Sequence, residues 1–164
     1  MIVISDTSPI NYLILIGEIE ILEKLFTRIV VPQAVFRELQ HTKTPQPVKD
    51  WIANAPSWLE VKQADASLFT PSKKIGDGER EAIALAIELR ADAVLIDDRD
   101  GTLEARRQSL IAVGTVNLLE RAAEKGLLDL PETLERLSHT SFRLPHSEIL
   151  DAMLERDRKR KARN

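Results

Sequence analysis

Short apolar runs without polar alternation recur along the chain, separated by stretches whose apolar residues fall at helical spacing. Ile2-Val3-Ile4, Arg28-Ile29-Val30-Val31, Ala93 to Ile96 and Ile111-Ala112-Val113 predict strands, and Leu59-Glu60-Val61 a marginal fifth. Ser8-Pro9 predicts the start of a helix, with Ser8 as N-cap, that carries apolar residues through Leu15, Ile19, Leu22 and Leu25. Further helices are expected from Pro32 through Leu39, Pro45 to Ala55, Glu79 to Leu89, Thr102 to Gln108 and Val116 to Lys125, the last closed by Gly126. Two more cover Pro131 to His139 and His146 to about Arg160, and Asp65 to Gly76 reads as loop. Strands that are apolar at every position have both faces buried, so this order predicts a parallel sheet covered by helices on each side.

Ligands of such sheets bind outside the carboxyl ends of the strands, near the switch point of strand order. Acids stand at those ends. Asp6 follows the first strand, and Asp97 and Asp98 follow Ala93 to Ile96, with Asp100 just beyond. Asp98 or Asp100 could equally cap the helix near Thr102. Glu38 lies beside the inward-facing Val35 and Leu39, and Glu79 and Glu81 open the helix in GDGEREAIALA. Glu79 is explained by the positive end of the helix dipole; Glu81, next to Ala82 and Leu85, is less so.

Composition narrows the chemistry. There is no cysteine, which excludes disulfides, thiolate zinc sites and thiol nucleophiles, and His41, His139 and His146 are scattered. Several carboxylates in one cleft cannot all stay ionised without compensation, and an all-oxygen donor set suits Mg²⁺ or Mn²⁺ better than zinc. Such an ion serves phosphodiester cleavage, by acidifying water and offsetting charge on the attacking and leaving oxygens. The core must be aliphatic, since 43% of residues are hydrophobic and only 4% aromatic. No apolar stretch approaches the roughly 18 to 20 residues of a membrane span, and MIVISD lacks the features of a signal peptide, so a cytoplasmic location and no membrane partner are expected.

The net charge of −3 conceals an asymmetry: RDRKRKAR, residues 156–163, carries +5 and leaves −8 on the remainder. An acidic body binds polyanions poorly. The basic tail is expected either to be a frayed, solvated helix end or to project as a cationic arm, with Ile149, Leu150, Met153 and Leu154 docking its helix on the body. Residues 1–140 are expected to form the main body of the domain, and 141–164 a C-terminal helix and basic tail docked on it. Candidate contacts for a polyanion are Lys73, Lys74, Arg99, Arg156, Arg158, Lys159 and Arg160.

DRDGT, residues 98–102, imitates the nucleophile motif of the haloacid dehalogenase-like phosphatases. That reading fails because only 62 residues follow Thr102, with one clear strand and no later strand ending in acids. A different resemblance covers about residues 1 to 140. IVISDTSPINYL, VPQAVFREL, GDGEREAIALA, LIDDRDG and VGTVNLLERAAEKGLL resemble, in order, the blocks of the PIN domain, specifically its VapC-like branch. The resemblance implies a three-layer α/β/α sandwich with a central parallel sheet of four to five strands, and a metal-dependent ribonuclease site of three or four acids.

Carried over by block, Asp6, Glu38, Glu81 and Asp98 match the catalytic and metal-binding acids, and Thr115 a small polar residue near the cleft. Asp97, Asp100, Glu79 and Ser8 are secondary candidates. The chain departs from the common toxin pattern in having Glu at position 81 and IDD in place of TND. The implied function is an Mg²⁺- or Mn²⁺-dependent endoribonuclease, the toxin of a type II toxin–antitoxin pair, with RNA, a cognate antitoxin and a second copy in a homodimer as partners. The alternative is a PIN-like RNA-binding or protein-interaction module with little or no turnover.

Overall fold

The five predicted apolar runs pair into one wholly parallel sheet. In the computed structural model, which describes residues 1–164, these are β1 (Ile2–Ser5), β2 (Arg28–Pro32), β3 (Leu59–Lys62), β4 (Ala93–Leu95) and β5 (Ala112–Val113). Their order in the sheet is β3-β2-β1-β4-β5. The chain builds outward from β1 to β3 and then returns to place β4 on the other flank of β1. The switch point thus lies between β1 and β4.

The helices interleaved with the strands are α1 (Thr7–Leu15), α2 (Ile21–Leu25), α3 (Gln33–Glu38), α4 (Gln46–Ala53), α5 (Asp77–Leu89) and α6 (Arg99–Arg107). On one face of the sheet Ile4, Val30, Val94 and Ile96 pack against Ala82, Leu85 and Ala86 of α5, whose alanines allow a close approach. The alternate residues Val3, Ile29, Val31, Ala93 and Leu95 are buried as well, so both faces are covered and the fold is a three-layer α/β/α sandwich. Each fully buried Val, Leu or Ile contributes about 1.5 to 3 kcal/mol.

Two expectations about helix boundaries are corrected. The predicted helix through Leu25 breaks after Leu15 because Gly17 adopts φ +75°. Its N–H donates to the Ile14 carbonyl at 3.0 Å and the Glu18 N–H to that of Leu13 at 2.8 Å, a Schellman stop that starts α2 afresh. At the other end Ser8 is not the N-cap: a single residue turns the chain out of β1, so Asp6 occupies that position and Ser8 lies in the first turn.

The chain divides into two compact units, Met1–Thr115 and Val116–Asn164. The second holds the rest of α7 (Thr115–Glu124), then α8 (Leu130–Ser138) and α9 (Ser147–Ala162). Residues 141–164 belong to it with α8, which Asp129 caps by accepting the Glu132 N–H at 3.1 Å. The basic run is not a free arm, as its charges are largely neutralised in place. Arg156 makes a bidentate pair with Glu120 at 2.8 and 3.2 Å, Arg160 pairs with the buried Asp157, and Arg158 pairs with Glu155. Lys161 lies 2.8 Å from Asp157 and 3.0 Å from Asp129. Of the expected apolar side, Met153 is buried but Ile149 is 49% exposed. No helix is long and apolar enough to cross a membrane.

Candidate active site

The carboxyl ends of β1 and β4 meet at the switch point, where the Asp6 N–H donates to the Leu95 carbonyl at 2.9 Å. Asp6 is 3% exposed, yet its side chain makes no capping hydrogen bond and Oδ1 has no partner at all. Burial, followed by the negative fields of Glu79, Glu38 and Asp97, pushes its pKa up to about 8. Burying a carboxylate oxygen without a donor is unfavourable in isolation.

Glu38 at the end of α3 shares this cleft. A Cβ added at Gly78 would lie 2.8 and 3.0 Å from its two carboxylate oxygens and 3.0 Å from Asp6 Oδ1. Only glycine leaves that space open. The Thr7 hydroxyl, next to Asp6 in the chain, donates to Glu38 Oε2 and aims it. Glu79 enters from the first turn of α5. It is half-buried, and burial, then the Asp98 and Glu38 charges, raise its pKa. Asp98 caps α6, with Oδ2 accepting the Gly101 N–H at 2.8 Å, while its second carboxylate oxygen has no hydrogen bond. Gly101 is required there, since a Cβ would come within 2.6 Å of Ile96 Cδ1 and 3.0 Å of Glu79 Cγ.

Asp97 has a different environment from its neighbour. Its carboxylate accepts the Ser8 hydroxyl at 2.8 Å, the Thr115 N–H at 2.7 Å and the Thr115 hydroxyl at 2.6 Å. These bonds tie the end of β4 to the first turn of α1 and the start of α7. Ser8 and Thr115 thus act through Asp97.

Glu81, carried over by resemblance as a metal ligand, is engaged elsewhere. Its Oε1 accepts the Ala34 N–H at 3.1 Å and its Oε2 lies 3.8 Å from Arg37. The residue preceding α3 is Pro32, which has no side-chain cap to offer, so Glu81 supplies an anion to that helix N-terminus from α5. Glu79, a secondary candidate from sequence, is the α5 acid whose charge acts on Asp6. Asp100 lies 3.7 Å from Lys73 on the rim of α6, and Arg99 opens that helix. The hydroxyl of Thr7 escaped notice in the sequence, though its place between Asp6 and Ser8 in SDTS was the available signal.

The residues fit a divalent cation by their chemistry. Every donor is a carboxylate oxygen, Asp6 Oδ1 is buried without a partner, and Gly78 keeps the space before it clear. As they stand, no three Asp, Glu or His side chains are grouped closely enough to hold an ion. The Glu38 and Asp6 oxygens border the space before Gly78, and Glu79 acts on Asp6 and feels Asp98 and Glu38 in turn.

An α/β/α sheet with carboxylates at its switch point defines an acid-cleft domain. The family model described as DUF3368, PIN domain, matches residues 2–157, and the chain belongs to the PIN domain family. PIN domains are generally nucleases and typically use divalent metals. The chain is also similar to a PilT N-terminus domain protein from the hyperthermophilic archaeon Sulfolobus solfataricus P2, at 15% identity and TM-score 0.48, over 89% of this chain and 99% of that one. No curated protein matches the chain significantly.

Proposed function

We propose that the protein is an Mg²⁺- or Mn²⁺-dependent endoribonuclease whose metal-holding acids are Asp6, Glu38, Glu79 and Asp98. One observation carries this reading: a buried Asp6 whose Oδ1 has no hydrogen-bond partner, surrounded by further carboxylates at the switch point of a PIN fold. When bound, the ion supplies an acidified water and offsets charge on the phosphodiester. The protein's part is positioning. Thr7 aims Glu38, the Gly101 N–H fixes one oxygen of Asp98 and leaves the other free, and the Ser8–Asp97–Thr115 bonds keep the end of β4 in place. Burial around Asp6 lowers the local dielectric, which strengthens its attraction for a cation.

The order of the VapC-like blocks extends the proposal to the toxin of a type II pair, acting on RNA in the cytoplasm and neutralised by an antitoxin. A short antitoxin-like reading frame beside the gene, and growth arrest relieved by its product, test that extension.

The enzymatic reading is tested on end-labelled RNA with Mn²⁺, with Mg²⁺ and with EDTA. The expected result is metal-dependent cleavage leaving 5′-phosphate ends, lost in Asp6→Asn. Cyclic 2′,3′-phosphate products formed in EDTA overturn it. RNA bound tightly but uncut with either metal selects the binding-module alternative instead.

A further inference from the structure

Glu104, on α6, is 3% exposed and takes no part in the acidic cleft. Its Oε2 accepts both the backbone N–H of Ser72, at 3.2 Å, and the Ser72 hydroxyl, at 2.8 Å. Oε1 accepts Gln108 Nε2 at 3.2 Å, and Arg107 lies 3.6 Å away. A buried carboxylate is costly unless satisfied in this way, and what it satisfies is a loop. The same loop is pinned on either side of Ser72. Phe69 is buried in a cluster with Ile83, Ala84 and Ala105, and Ile75 packs against that cluster. Between these anchors stand Lys73 and Lys74, both exposed.

Their location is specific. Lys73 Nζ is 3.7 Å from Asp100, two residues beyond the candidate ligand Asp98, and the loop runs through Gly76 into the turn of α5 that carries Glu79. Lys73 is therefore held beside a cleft whose own side chains are acids, and the exposed Lys74 follows it on the same pinned loop. A polyanionic substrate approaching that cleft meets repulsion unless cations border it. Paired lysines on a fixed loop are point charges suited to phosphate oxygens.

We propose that Lys73 and Lys74, presented by the Glu104–Ser72 clamp, form a phosphate-binding rim that positions the backbone of an RNA substrate across the carboxylate cleft. On binding, Lys73 exchanges Asp100 for a phosphate. The inference rests on the reading of the substrate as RNA, and Glu104 is a positioning residue that acts through the loop.

The test is a fluorescence titration of a mixed-sequence single-stranded RNA in EDTA at several salt concentrations, in an Asp6→Asn background. Losing two phosphate contacts should flatten the slope of log affinity against log salt by about 1.4, since each contact to a single strand contributes about 0.7. Lys73→Gln with Lys74→Gln should therefore bind roughly 25-fold more weakly at 0.1 M salt, with the gap closing toward 1 M. Glu104→Ala should weaken binding with both lysines intact, and Glu104→Gln, which keeps an acceptor for Ser72, should restore it.

Lys159→Gln on α9 with Arg163→Gln at its C-cap, both exposed, is the control of equal charge change. Unchanged affinity and slope in the lysine variant, or an equal loss in the α9 control, overturns the rim. The nuclease reading fails separately. An RNA bound through Lys73 and Lys74 but uncut with either metal sinks catalysis and leaves the rim standing, whereas cleavage with binding indifferent to the lysines does the reverse.

Discussion

Replacing Asp6 by Asn should make the metal-free protein more stable at neutral pH and leave it unchanged in acid. Asn has nearly the volume of Asp and carries no charge, so the substitution isolates ionisation from packing. The pKa rises on folding, from 3.8 to about 8. A group of this sign favours the fold fully below its unfolded pKa, and that support is lost as pH rises toward the folded value. Each pH unit between the two corresponds to about 1.4 kcal/mol. From pH 4 to pH 7 the wild type should therefore lose up to about 4 kcal/mol that the variant keeps. Against a typical total of about 5 to 15 kcal/mol, that is a large share. Urea unfolding of both proteins in EDTA at pH 4, 5.5, 7 and 8 measures it, and only the difference between them matters, because titration of all other groups largely cancels. Millimolar Mn²⁺ at pH 7 should then raise the stability of the wild type by mass action and leave the variant unmoved. A difference that is flat across the pH series would falsify the assignment of a buried, uncompensated charge to Asp6.

Three further outcomes separate the cleft from its surroundings. Glu79→Gln should abolish RNA cleavage and raise metal-free stability slightly, whereas Glu81→Gln should retain most cleavage; comparison of initial rates with Mn²⁺ decides between the two α5 acids. Gly78→Ala places a methyl group 2.8 to 3.0 Å from the Glu38 and Asp6 oxygens, so cleavage and the Mn²⁺-induced rise in melting temperature should both fall sharply. Helix propensity alone favours that alanine by about 1 kcal/mol, and a gain in melting temperature with full activity would show that the space is not used. Asp97→Ala removes the acceptor of three hydrogen bonds and should cost about 3 kcal/mol or more in urea unfolding, with activity falling in consequence.

Strand count and covered faces were legible because parallel strands buried on both sides carry an unbroken apolar signal. Ile2-Val3-Ile4 and Ala93 to Ile96 admit no other reading once helices lie between them. What could not be read was where one helix becomes two. The apolar positions from Leu13 through Leu22 continue at helical spacing across Gly17, and an isolated glycine costs a helix only about 1 kcal/mol. The break is decided by φ at Gly17 and by the two carbonyls that the Gly17 and Glu18 N–H groups satisfy, neither visible in a periodicity. The C-terminal run shows the converse difficulty. Six basic residues look like a solvated arm until Glu120, Asp129 and the buried Asp157 bring counter-charges from elsewhere in the sequence or from the helix itself.

The same distinction governs the acids. Asp6 and Asp98 were legible because strand ends are positions set by the fold, and β1 and β4 are neighbours at the switch point. Glu79 and Glu81 are two residues apart on one helix, hence about 200° apart around its axis, so only one can face the cleft. Neighbouring alanines and leucines do not decide which, because both acids border the buried stripe of α5. The deciding fact is nonlocal. Pro32 leaves the N-terminus of α3 without a side-chain cap, Glu81 supplies the missing anion, and Glu79 is left facing Asp6. The departure from the toxin pattern noted at position 81 therefore bears on how α3 is anchored, and under the proposed function the α5 carboxylate offered to an ion is Glu79, two residues earlier.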